Sequence, residues 1–88
     1  MNKVRRAALM AWVKKAENWA SQGEELRNEL ENICSDEQEC FDNMPENLQG
    51  SIRGMDAEEA IDKMNEAIEY LNNAIDEAES AASCVDEI

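Results

Sequence analysis

Apolar side chains recur along nearly the whole chain in alternating steps of three and four. In the first half Leu9, Trp12, Ala16, Trp19, Gly23, Leu26, Leu30, Ile33, Glu37, Cys40 and Met44 keep the pattern, and in the second half Ile61, Met64, Ile68, Leu71, Ile75, Ala78, Ala82 and Val85 keep it. A seven-residue repeat of this kind puts one stripe on an α-helix and asks for a second helix to cover it. Gly23 and Glu37 are the two flaws in the first stripe. Each lies near a possible capping box, Ser21 with Glu24 and Ser35 with Gln38, so the first helix is expected either to run unbroken or to bend near residue 21 or 35. Ala60, Ala67, Ala74 and Ala81 widen the second stripe on one side, which suits a bundle better than a two-stranded seam.

The repeat is interrupted at "CFDNMPENLQGS", Cys40 to Ser51, which holds the only proline. Proline lacks an amide N–H and disfavours helical geometry in the residue before it, so the first helix should end by Asn43 or Met44. Pro45 can open a short turn with Glu46 at its positive end, and Gly50 can close it. Asp56 with Glu59 reads as the capping box of the second helix, with Met55 just outside it. The expected fold is all-α: a helical hairpin with heptad-like seams, a basic amphipathic arm at 1–20, an acidic helix at 21–43, a corner at 44–55 and a second acidic helix at 56–85. Met44, Leu48, Ile52 and Met55 should plug the corner end of the core.

Folding back at the corner sets a register. With Met44 opposite Asp56, Lys15 faces Val85, and Lys14 and Lys15 lie beside Asp86 and Glu87. Residues before about Trp12 then have no partner within the hairpin, an overhang of roughly 15 Å at 1.5 Å per residue. Two helices bury one face each, which is thin for stability. Pairing of two hairpins into a dimeric four-helix bundle is the expected remedy, so the chain's first partner is itself.

Charge is unevenly distributed. Residues 1–20 carry five bases and one acid, net +4, and residues 21–88 carry three bases and twenty acids, net −17, giving −13 in all. The arm "KVRRAALMAWVKKAENWA" is of a type that binds nucleic acid or anionic membranes, but the attached acidic body repels both, so neither is an expected partner. No stretch approaches the ~20 apolar residues of a membrane span, and the N-terminus has no uninterrupted apolar core of the secretory type. A cytoplasmic setting is expected, with Cys34, Cys40 and Cys84 as free thiols.

The residues offer little for catalysis. There is no histidine, which removes the usual general base and the commonest metal ligand. Carboxylate-bound metals in helical bundles need inward Glu residues, usually with a Glu-x-x-His pair, whereas Glu37 is the only acid on the seam. "SDEQECFDNMPE" lacks the central glycine of a calcium loop. The cysteines match no zinc spacing and have no basic or histidine neighbour to stabilise a thiolate, and no glycine-rich phosphate loop is present. The expectation is a chain that is not an enzyme and takes no cofactor or metal.

The run Asp42-Asn43-Met44-Pro45-Glu46-Asn47-Leu48-Gln49, followed by "AEEAIDKMNEAIEYLNNAIDEA", resembles a group of small acidic proteins of phages and prophages of Gram-positive bacteria. The resemblance covers roughly residues 26–80 and implies a phage-type setting in a bacterial host, with no catalytic residue attached. Two kinds of interaction residue stand out. Trp12 and Trp19, two turns apart on one face, are either core or dimer anchors or hot spots for a partner. The acids Glu24, Glu25, Glu29, Glu31, Asp36, Glu39 and Asp42 on the first helix, and Glu58, Glu59, Asp62, Glu66 and Glu69 on the second, either give solubility alone or form a surface for a basic host protein. In the second case rows of carboxylates on a rigid rod imitate the phosphate track of DNA and occupy a nucleic-acid-binding groove. The expected function is a non-enzymatic protein–protein interaction module, with an acidic DNA-mimic inhibitor and a structural or assembly accessory as alternatives.

Overall fold

In a computed structural model covering residues 1–88, two long helices lie antiparallel and are joined by a tight corner. Helix α1 spans Lys3–Asp42, α2 is the single turn Glu46–Gln49, and α3 spans Ile52–Asp86. The molecule is a rod of 69 × 14 × 14 Å. Its radius of gyration of 19.9 Å far exceeds the roughly 12 Å of a compact chain of this length. Only 9 of 88 residues are buried, and no large side chain is fully enclosed.

Helix α1 is continuous, with no bend at Ser21 or Ser35. Asn2 caps its start, its Oδ1 accepting from the Arg5 amide at 2.8 Å. It ends where Pro45 requires, with Asn43 as C-cap. Pro45 and Gly50 then bracket α2 as expected. The Gln49 side chain turns back and donates to the carbonyls of Phe41 and Met44, both at 3.1 Å, and the Phe41 carbonyl also accepts from the Met44 amide.

Helix α3 begins five residues earlier than the Asp56–Glu59 box suggests. Ser51 is the N-cap and accepts from the Gly54 amide. Continuing the Ile61 stripe backwards puts Ala57 and Gly54 on the inner line, and both are buried. Ile52 and Met55 therefore fall on the outer surface. The expected plug at the corner is reduced to a half-buried Met44, with Leu48, Ile52 and Met55 exposed.

The second stripe packs as read: Ile61, Ile75 and Ala82 are buried, and Met64, Ile68, Leu71, Ala78 and Val85 are half-buried. The first stripe is corrected in its alternate positions. Leu9, Ala16, Gly23, Leu30, Glu37 and Met44 face α3, but the second column of the seam is Val13, Ala20, Arg27, Cys34 and Phe41. Trp12, Trp19, Leu26, Ile33 and Cys40, each one residue earlier, are exposed. Small residues explain the choice. Ala16, Ala20 and Gly23 let the helices close until Ile75 Cγ1 lies 3.0 Å from where a Gly23 Cβ would be, and indole rings in this column would hold them apart.

Register is within two residues of expectation: Gly23 meets Ile75, Arg27 meets Asn72 and Cys34 meets Asn65. The overhang is shorter than predicted, because Arg6 Nη1 reaches the Ile88 carbonyl at 3.4 Å and Leu9 and Val13 share a groove with Val85, Asp86 and Ile88.

Candidate protein-interaction surface

The seam divides the remaining surface of the hairpin into two unlike sides. Residues seven apart on α1 stay in line because the buried columns hold a 3.5-residue period from Leu9 to Met44. On one side of the seam run Glu17, Glu24, Glu31 and Gln38 of α1, beside Glu58, Asn65, Asn72, Glu79 and Asp86 of α3. This side is tied by polar contacts across the helices. Arg27 Nη1 donates to Asn72 Oδ1 at 3.0 Å, and the Cys34 thiol donates to Asn65 Oδ1 at 3.6 Å. Glu17, Glu79 and Asp86 border one groove there, and no group of acids is arranged to hold a metal ion.

The opposite side is apolar. Trp12 is 43% exposed, Trp19 53%, and Leu26 and Ile33 57% each, a single line four heptads long that ends at Cys40. Beside it on α3 lies the alanine column, with Ala67 and Ala74 half-buried and Ala60 and Ala81 exposed. Trp12, Trp19 and Ala16 form one wall of an open groove whose other wall is Ala78 and Ala81. A second groove continues toward the open end of the rod between Met1, Ala8, Leu9 and Trp12. A contiguous apolar strip of this length on so small a chain is the candidate surface for an interaction.

The acidic candidates do not gather into one patch. Glu24, Glu31 and Glu58 lie on the polar side, while Glu29 and Asp36 border the apolar side. Glu25, Glu39 and Asp42 line the back of α1, and Glu59, Asp62, Glu66 and Glu69 the back of α3. Glu24 is half-buried and the others are exposed. Two ion pairs are formed, Arg27–Glu31 and Lys63–Glu66, both at 3.8 Å and both within one helix. Lys14 and Lys15, expected beside Asp86 and Glu87, form no ion pair with them: both are exposed, and Lys15 borders the groove of Trp12 and Trp19.

So many uncompensated carboxylates should make the fold respond to salt. Raising NaCl from low concentration to about 0.3 M shortens the screening length below ~8 Å, and the melting temperature should rise. A flat or falling curve from circular dichroism would show that attraction between arm and body already compensates acidic repulsion.

Sequence reasoning missed Gln49, Asn65, Asn72 and Gly54. The asparagines interrupt the polar side of α3 at heptad spacing, which is a signal that could have located the hairpin's polar seam.

Comparison with protein-family models, curated proteins and solved structures returns no match. The functional reading therefore rests on the two faces.

Proposed function

We propose that the chain is a non-enzymatic protein–protein interaction module that works through its apolar side. The observation that carries this is the exposed line Trp12–Trp19–Leu26–Ile33, which the chain's own second helix leaves uncovered. Aromatic residues are enriched where interfaces concentrate their binding energy. The rod holds the line straight, so a partner finds it pre-organised and binds with little ordering cost. The experiment is recovery of bound protein from a bacterial lysate with the parent chain and with Leu26→Glu, which puts a charge in the middle of the line without touching the seam. A bound protein retained by the parent and lost by the variant supports the proposal, whereas equal recovery by both, from a parent chain that is monomeric, overturns it.

A second reading is an acidic decoy for a basic nucleic-acid-binding host protein, in the phage-type setting that the corner run suggests. It is favoured by the carboxylates along the backs of both helices, of which only Glu66 is engaged in an ion pair with a base. In the same experiment this reading gives a basic protein that Leu26→Glu still recovers and that moderate salt releases.

A further inference from the structure

We propose that the occupant of the apolar side is a second copy of this chain. The two hairpins are related by a two-fold axis along the rod, so that both corners lie at the same end. This deepens the interaction reading and rests on it. The rod exposes 6737 Å², about 1,500 Å² more than a compact chain of its mass shows. A standard interface takes about 800 Å² from each partner, so the excess is enough for one.

The side is self-complementary in size. A two-fold along the rod lays α1 of one copy over α3 of the other at the same heights that the hairpin register already fixes. Trp19 then meets the level of Ala81, Leu26 that of Ala74, Ile33 that of Ala67 and Cys40 that of Ala60. At these four levels a larger side chain lies over an alanine, while Trp12 comes level with Ile88, and the second half of the interface repeats this by symmetry. Turning one copy end over end would instead stack α1 on α1 and α3 on α3. The bulky pair would need an interaxial distance near 10 Å and the alanine pair one near 8 Å, so the layers would wedge apart.

The borders agree in charge. Along the edge of the proposed interface, Asp36 of one copy comes level with Lys63 of the other, Glu29 with Tyr70, Gln22 with Glu77 and Lys15 with Cys84. No two acids oppose each other, in a chain with 21 acids and 8 bases. Residues 11–20 of the arm, net +1, come level with residues 79–88 of the second copy, which hold three acids and no base.

Sedimentation equilibrium of the full chain at about 0.1 mM, well above the Kd of a stable dimer with this interface area, should give twice the chain mass of 9.9 kDa. Leu26→Glu and Ala74→Trp should each weaken association by about 100-fold or more, by burying an unpaired carboxylate or by filling the trough, with helical circular dichroism retained. For arrangement, a nitroxide is placed at Gly50→Cys in a Cys40→Ala, Cys84→Ala chain; Gly50 is open, with nothing within 4 Å of an added Cβ. Labels on the two copies should lie about 20–30 Å apart by pulsed electron resonance, from interaxial spacings of about 8–10 Å plus the tethers. A separation approaching the 69 Å rod length would overturn the shared-end arrangement, and a monomeric parent chain would overturn self-docking. If that monomer still recovers a lysate protein that Leu26→Glu loses, only the second-copy inference fails. If it recovers none, the interaction reading fails with it.

Discussion

Gly54→Ala should collapse the corner. Gly54 is buried in the first turn of α3, and a Cβ there would fall on the backbone carbonyls of Gln49 and Leu48. Main-chain atoms cannot swing aside as a side chain can, so the cost should reach about 3 kcal/mol, the top of the usual overpacking range. Only steric room requires glycine here, since its backbone is helical and no glycine has a positive φ. Gly50→Ala is the matched control: its Cβ meets nothing within 4 Å, so the change should be neutral or stabilising by up to about 1 kcal/mol. Urea denaturation of the two variants at one protein concentration tests the pair, and a Gly54→Ala midpoint equal to the parent's would refute the close approach.

Ile75→Ala should be the most damaging truncation in the seam. Ile75 is 3% exposed and lies across Gly23, and losing a buried isoleucine typically costs 2–5 kcal/mol, of the order of ~2–5 here. In a protein whose total stability is expected to be roughly 5–15 kcal/mol, that is a large share. Gly23→Ala alone should change little, because a helix gain of up to about 1 kcal/mol is opposed by the 3.0 Å approach to Ile75 Cγ1. In the Ile75→Ala background the same change should recover about 1 kcal/mol, since the obstruction is gone. Additive effects in a double-mutant cycle would mean that the two residues do not touch. Glu66→Ala, on the back of α3, should stay within about 0.5 kcal/mol of the parent.

The hairpin itself was legible because its signals are local and redundant. Pro45 stops a helix through its own covalent structure, and eight heptad positions from Ile61 to Val85 agree on one face. The start of α3 was not, because Ser51 and Asp56 are both competent caps and the choice depends on burying Ala57 and Gly54, a tertiary gain. The same holds for the first stripe. Columns 12–19–26–33 and 13–20–27–34 both flank Leu9, Ala16, Gly23 and Leu30, and composition favours the first because its side chains are larger. The seam takes the second because a two-helix contact rewards close approach, and small residues allow it. Trp12 and Trp19 stood out in the sequence as core or dimer anchors or as hot spots, but their placement outside the seam depends on what α3 presents, which no window on α1 contains.

The rod also has a mechanical polarity. Arg6 and Ile88 meet at one end, and the chain reverses at the other. A load applied between these two residues peels the helices apart level by level instead of shearing all levels at once. Stability is then nearly a sum over neighbouring levels, as in a linear array. Opening that starts at the Arg6–Ile88 end can stop anywhere along the seam, while the Gln49 clasp on Phe41 and Met44 holds the corner shut. Amide protection should therefore climb from residue 9 toward residue 41. A uniform profile would mean that the levels open together.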